Sequence, residues 1–458
     1  MTGAPLRWLR ALVFLFRDAG VRATAASRAI ALAGAPVTLY LAATRLPPDD
    51  QGWYFVAINI VAFAQLCELG LGTIIVQFAS HEWPRLRWGR GGGLEGDPEA
   101  RDSVAALLVT ATRWFGGAAL VLFLVAGVGG ALIFRGNIAG SWIGFGIFWC
   151  GFVSVTAVYL LVIPFVCVCE GCGDLVAVQR MRAWQAAAIL LALWTGIVAS
   201  GPLAAAWLAA AAQLLVAVAW LFARHRGLLR APRTLPALLL EGVKGLTRRY
   251  RAEQARSAQL WIALWIAPQL LAPVLLRMRG GDEAGRLGVT LAVATAPLTL
   301  GVAWLHGRYP SFGAMVAEGR TREFDAFARR AAVEAVSVFV AICVALAGVV
   351  LLLPLVLPAM AMRFLPVASL IALMAGNLAG LLLQAMAGWL RAFRDEGIAA
   401  PIVGGTAAIV ISSGVAGSLG GAQVMAVAFA ASSLLVAVPL AAAHFLRVRR
   451  ERLGEGNS

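Results

Sequence analysis

Twelve long apolar runs separated by short polar segments organise this chain. They fall at residues 29–44, 53–80, 104–134, 141–169, 183–200, 203–223, 259–276, 287–305, 335–357, 364–388, 398–418 and 424–446. A helix needs about 20 apolar residues to cross a hydrocarbon core of roughly 30 Å. The pattern therefore predicts an all-α polytopic membrane protein with about twelve transmembrane helices. The fifth and sixth runs are split only by Ser200-Gly201-Pro202, which reads as a tight turn. Several runs contain proline, among them Pro36, Pro164, Pro268 and Pro297. A spanning helix tolerates proline where neighbours satisfy the freed carbonyl.

The pattern also repeats. Asp49-Asp50-Gln51-Gly52 opens the second run, and Asp282-Glu283-Ala284-Gly285 stands 233 residues later, before the eighth. Pro36 and Pro268, in the first and seventh runs, are 232 residues apart. The second run ends at His81-Glu82-Trp83-Pro84 and the eighth at His306-Gly307-Arg308-Tyr309-Pro310. These matches predict two parallel six-helix lobes around a central cavity, with the pseudo-axis along the membrane normal. The expected layout is a basic amphipathic segment at 1–28, an N-lobe at 29–223, a cytoplasmic linker at 224–258, a C-lobe at 259–446 and a cytoplasmic tail at 447–458.

Composition narrows the class. Of 458 residues, 61% are apolar and 13% charged, and the mean hydropathy is +0.83. Soluble domains run near 45–50% apolar and about 25% charged, so an ordinary soluble enzyme is excluded. Lys+Arg is 38 against Asp+Glu 23, a net charge of +15, and Lys244 is the single lysine. Such a balance points either to nucleic acid or to cytoplasmic loops, and position separates the two. With the N-terminus inside, 31 of the 38 basic residues fall in inner segments and 6 in outer loops. That follows the positive-inside rule, places both termini in the cytoplasm, and removes nucleic acid as a partner. Ala11–Phe16 is too short for the apolar region of a signal peptide. Residues 6–28 and 235–256 read as basic amphipathic helices on the inner leaflet, in contact with membrane lipids. The outer loops run to about ten residues or fewer, too short for an external catalytic domain. A transporter is therefore favoured over an enzyme. No phosphate-binding loop ending in Gly-Lys-Ser/Thr is present, so ion gradients, membrane potential or product removal must supply the energy.

The candidate chemistry lies in the few polar residues within spans. Arg113 falls about nine residues into the third run, roughly 14 Å deep. An ionised residue at such a place is a functional hypothesis by default. Glu68, on the antiparallel second run, lies at roughly 18 Å. The two either form a structural ion pair, or Arg113 faces the cavity and meets a phosphate or acidic sugar while Glu68 holds it. Arginine suits the second role because its planar fork binds phosphate oxygens in pairs. Arg28 and Arg256 stand at the inner ends of the first and seventh spans, where they either anchor the helices or collect an anionic head group. Arg277, Arg279, Asp282 and Glu283 form an outer gate or a solvated loop. Asn377 and Gln384 share a face of the tenth span and hydrogen-bond either sugar or a neighbouring helix. Pro36 and Pro268 are candidate hinges. Cys167-x-Cys169-x-x-Cys172 has metal-like spacing, but without a paired histidine or a second Cys-x-x-Cys no metal or other cofactor is expected.

Leu46-Pro47-Pro48-Asp49-Asp50-Gln51-Gly52-Trp53-Tyr54, followed by Glu68-Leu69-Gly70-Leu71-Gly72, resembles the opening of bacterial polysaccharide and O-antigen flippases. These form the polysaccharide transporter branch of the multidrug/oligosaccharidyl-lipid/polysaccharide exporter superfamily. Asp282-Glu283-Ala284-Gly285, with Pro310 and Glu318-Gly319-Arg320, resembles the matching second-half pattern. Two departures are Leu46-Pro47 for the first Leu-Gly and Arg286-Leu287 where an aromatic often follows the glycine. The resemblance implies flipping of an undecaprenyl-pyrophosphate-linked oligosaccharide across the bacterial inner membrane by alternating access. It also implies possible partnership with the polysaccharide polymerase machinery. The alternatives are a small-molecule or drug exporter of the same fold, and a non-transport membrane component of envelope polysaccharide assembly. The loop Arg85–Ser103 lacks the motif of the major facilitator fold. Residues 29–44 carry no acidic residue of the kind found in cation-coupled drug exporters.

Overall fold

A computed structural model of the chain describes residues 19–68, 71–134, 142–199, 201–229, 262–306 and 318–454, except 394 and 396, with residue 259 and scattered positions between 307 and 317. The chain is a polytopic all-α membrane fold. Its helices are α1 (Ala19–Arg45), α2 (Pro48–Glu68), α3 (Leu71–Glu82), α4 (Pro98–Phe134), α5 (Trp142–Cys169), α6 (Leu175–Ala199) and α7 (Pro202–Arg224). They continue with α8 (Ile262–Arg279), α9 (Gly281–His306), α10 (Thr321–Val356), α11 (Val367–Ala392), α12 (Ala399–Ser432) and α13 (Val438–Gly454). Helices α2 and α3 together make the second predicted span. Gly421, at φ +72°, interrupts α12, so the segment before it forms the eleventh span and the segment after it leads through a π-helical turn into α13 as the twelfth. Among the described residues, the twelve predicted spans thus correspond to twelve helical passes. The sequence set several boundaries too late. Helix α6 begins at Leu175 rather than near 183, and α10 at Thr321 rather than near 335, because charged and polar residues (Gln179, Arg180 and Arg182 in α6, Thr321–Glu323 and Asp325 in α10) lie inside their helical starts.

The described residues form two compact units. The first holds 19–45, 61–132 and 142–229; the second holds 46–60, 133–134 and 259–454. In the first, Trp149 is 1% exposed and donates its indole N–H to Ala126 O at 3.0 Å, which locks α5 to α4. A Cβ at Gly130 would stand 2.2 Å from that indole, so glycine makes the room. Gln185 Nε2 donates to Gln213 O at 2.7 Å, and Trp194 Nε1 to Thr38 Oγ1 at 2.9 Å, tying α6 to α7 and to α1. Pro36 sits in an unbroken α1, two residues before that threonine. In the second unit, Asn377 Nδ2 donates to Ala294 O at 2.8 Å, and Thr406 Oγ1 to Ala263 O at 2.9 Å. Pro268 also lies within a continuous helix, α8.

Breaks occur at glycine rather than proline. Between α5 and α6, Glu170–Asp174 form a kinked π-helical turn with Gly173 at φ +81°. A Cβ at Gly171 would stand 2.5 Å from Val76 O, so the kink lets α3 press against it. The cysteine cluster belongs to this turn, where Cys172 O accepts the indole N–H of Trp88 at 2.9 Å. Trp88 lies on a two-stranded antiparallel hairpin, β1 (Leu86–Trp88) and β2 (Leu94–Gly96), between α3 and α4.

The repeated acid-acid-x-Gly motif has a packing role. Helices α2 and α9 both carry its two acidic residues in their first turn. Residues 46–60 group with the second unit, where the two helix starts touch. A Cβ at Gly52 would lie 2.2 Å from Gly281 O, and one at Gly285 would lie 2.9 Å from Gly52 N. Side chains are excluded at this crossing. Gly285→Leu should therefore cost about 1–3 kcal/mol through overpacking. It should lower the melting temperature in detergent, while Gly348→Leu, whose Cβ meets nothing within 4 Å, leaves it unchanged. Equal melting of the two variants would contradict this account.

Candidate functional site

Helix α4 explains where Arg113 points. Its packed positions are Val104, Leu108, Ala111, Phe115, Ala119, Leu122 and Ala126, spaced at the helical period. At about 100° per residue, Arg113 lies about 200° from both Ala111 and Phe115. It is accordingly exposed, beside Trp114, Gly117, Leu120 and Leu124, which are exposed too. Arg113 forms no ion pair with any described side chain. The side chains of Glu68 and Arg28, and the whole of Arg256, lie outside the described residues, so the expected Glu68–Arg113 pair does too.

Residues 104–108 are all buried, so this part of α4 packs against protein. Arg113 lies within a 36-residue apolar stretch, Pro98–Ile133, long enough to cross a membrane.

The other sequence candidates separate. Asn377 is 2% exposed and spends its amide on the interhelical bond to Ala294. Gln384 is buried, its backbone O accepts the Tyr309 hydroxyl at 3.1 Å, and its side-chain Oε1 has no partner. Arg279 NH2 donates to Ser418 O at 2.8 Å, and Glu283 Oε2 accepts from Ala422 N at 2.9 Å. These two side chains cap the helix ends on either side of Gly421, with a cation at the carbonyl end and an anion at the amide end. Pairwise capping was not among the sequence readings for them.

Sequence reasoning missed three charged clusters. Arg308 NH2 and Trp304 Nε1 both donate to Glu334 Oε2, at 3.0 and 3.2 Å, and the Arg308 guanidinium stands 5.5 Å from the Trp304 ring centre. Glu334 precedes the predicted ninth span by one residue and was therefore read as loop. Arg449 forms two 2.7 Å bonds to Asp325, a 4%-exposed carboxylate at the start of α10. The third cluster joins the hairpin to the end of α7. His225 is 2% exposed, with ring centres 4.5 Å from Trp88 and 4.9 Å from Trp220. Its Nε2 lies 3.1 Å from Asp174 Oδ2, and Arg224 grips both oxygens of the same carboxylate. The repeated Arg and Gly of these loops gave no period from which the pairing could be read.

No protein-family model matches the chain, and no curated protein matches it in sequence. Solved structures do match in fold. A multidrug resistance MATE family transporter of the MOP superfamily, in an inward-facing conformation, matches with a TM-score of 0.63 at 14% identity, covering 92% of this chain and 95% of that one. The lipid II flippase MurJ, inward closed, matches with a TM-score of 0.62 at 11% identity, covering 95% and 90%. A MOP superfamily transporter from Pyrococcus furiosus, described as having a binding pocket of reverse polarity, matches with a TM-score of 0.56 at 13% identity, covering 96% and 97%. At these identities the likeness is one of fold. The fold class expected from the sequence is the one found.

The histidine cluster makes a prediction about pH. Burial pushes the His225 imidazole below its ordinary value of 6.5, and Asp174 opposes the shift without reversing it. A free His225 takes up a proton that the docked one resists. Docking of the hairpin is thus strongest above about pH 6.5 and weakens as pH falls through that value. Amide exchange of residues 86–96, corrected for intrinsic rate, should be faster at about pH 5.5 than at about pH 7.5. His225→Asn should remove the difference, and pH-independent protection in the parent chain would refute it.

Proposed function

We propose that this chain is a flippase that moves a lipid-linked oligosaccharide or polysaccharide precursor across the bacterial cytoplasmic membrane. Both termini lie on the inner side, and the lobes 29–223 and 259–446 alternate access about a central path. The observation that carries the reading is Arg113: a guanidinium on the exposed face of α4, inside a long apolar span and free of any described carboxylate. A permanent cation in that place suits the pyrophosphate of a polyprenyl-linked substrate, which must leave the inner leaflet head first. Arginine adds geometric selectivity through paired hydrogen bonds to phosphate oxygens. The acid-acid-x-Gly and Glu-Leu-Gly-Leu segments support the same substrate class by resemblance. Support also comes from the fold likeness to a lipid II flippase. Arg28 and Arg256 complete the inner collection of the anionic head group, and Pro36 and Pro268 are the bending points of the first helix in each lobe.

The second reading is export of a small molecule, favoured by the fold likeness to multidrug transporters. Substitution of Arg113 separates the two. In a strain that depends on this chain, Arg113→Ala should reduce surface polysaccharide about tenfold or more and accumulate lipid-linked precursor on the inner side, with Arg113→Lys intermediate. Membrane insertion of both variants should be normal. Unchanged surface polysaccharide in Arg113→Ala would sink the proposal. Altered drug susceptibility with intact polysaccharide would replace it by the second reading.

A further inference from the structure

An open cleft of about 640 Å³ lies where the hairpin meets the end of α7, lined by the glycine loop, Trp88, Asp174 and the run Arg224–Arg226. The loop Gly89-Arg90-Gly91-Gly92-Gly93 has an unusual hydrogen-bond balance. Four of its five carbonyls are committed: Gly89 O and Gly93 O accept from within the loop at 3.1 and 2.8 Å, while Gly91 O and Gly92 O accept from Gly227 N and Leu228 N at 2.9 and 3.1 Å. The amides of Arg90, Gly91 and Gly93 donate to no described group. Gly91 and Gly92 hold φ of +92° and +71°, which side chains resist. A Cβ at Gly92 would stand 2.0 Å from Arg224 O, whereas one at Gly91 would meet nothing within 4 Å. One glycine is thus pressed against the helix end while its neighbour faces open space. The loop presents donors and withholds acceptors.

The surrounding charge has the complementary sign. Arg224 is neutralised by Asp174. Arg226 uses only its Nε, on Phe222 O, and its terminal nitrogens remain free to act. Arg90 is exposed on the loop itself. Beneath them lies His225, 2% exposed; neither of its ring nitrogens has a hydrogen-bond partner among the described residues, although Nε2 stands 3.1 Å from Asp174 Oδ2. A buried ring nitrogen left unsatisfied is costly unless something fills it.

We propose that this cleft binds a phosphate group. Successive loop amides with flanking guanidinium groups are the elements from which anion-binding concavities are built. The phosphate oxygens take the amide of Gly91, which faces open space, and the terminal nitrogens of the Arg226 fork, above the buried His225 imidazole. The ionisable groups that face His225 are Asp174 from the kink and Arg224 and Arg226 from the helix end; Trp88 and Trp220 do not titrate. The site lies within the first unit, uses none of the residues assigned to transport, and stands whether or not the substrate is lipid-linked. The phosphate comes either from an anionic phospholipid head group or from a soluble phosphate ester.

Two probes of the full-length protein test this. Labelled inorganic pyrophosphate is measured by equilibrium dialysis in a neutral detergent. Phosphatidylglycerol retention from mixed phosphatidylcholine nanodiscs is measured by native mass spectrometry. Saturable binding of either is expected, reduced about tenfold or more, or roughly 1.4 kcal/mol, in Arg90→Gln/Arg226→Gln. These side chains are exposed, so the variant should keep the parent melting temperature. The charge-matched control Arg320→Gln/Arg322→Gln should bind like the parent. Pyrophosphate binding alone identifies a soluble ligand, and lipid retention alone identifies a head group. Absence of both, or equal binding by the Arg90/Arg226 variant and the parent, overturns the proposal.

Discussion

A chain dissolved in hydrocarbon has to satisfy its own peptide groups, and every irregularity in this fold depends on how it does so. The twelve passes are helices because only helices close their hydrogen bonds internally. Where the helix is interrupted at Gly421, Arg279 takes carbonyls on one side and Glu283 takes an amide on the other. The kink at Glu170–Asp174 gives Cys172 O to Trp88, so the hairpin is fastened by a carbonyl of the kink. Local breaks and long-range contacts in this protein are consequently the same events.

Charge is used in the same economical way. Arginine outnumbers lysine 37 to 1, and many of the arginines that the structure describes hold a partner. Arg224 steadies the kink through Asp174, Arg308 holds Glu334, and Arg279 closes a helix end. Arg113 differs from these because its helix turns it away from the packed face. Its interest lies in that contrast as much as in its depth.

The number of passes, the repeat and the turn at Gly201-Pro202 were legible in the sequence, because each follows from hydrophobic length or from the backbone chemistry of glycine and proline. Helix starts were not, since polar and charged residues early in α6 and α10 are helical all the same, and hydropathy reports solvent rather than conformation. Hydropathy also could not tell that Val104–Leu108 pack against protein rather than lipid. Glu334 was lost to a boundary one residue away. The Asp325–Arg449 and Asp174–His225 pairs join residues 124 and 51 positions apart, and no periodicity marks such distances. The glycines of the repeated motif were visible as a pattern, but their reason, a crossing too close for any side chain, appears only when α2 and α9 are seen to touch.

The bidentate grip of Arg449 on Asp325 has a mechanical consequence. It pins the trailing end of the final helix to the leading end of α10, with Arg329 also reaching the same carboxylate at 3.3 Å. Two rods riveted at one end can splay like a compass but cannot slide lengthwise past each other. Any rearrangement of the second unit that keeps this rivet must therefore carry α10 and α13 as one lever, leaving the sliding to helices that have no such fastening.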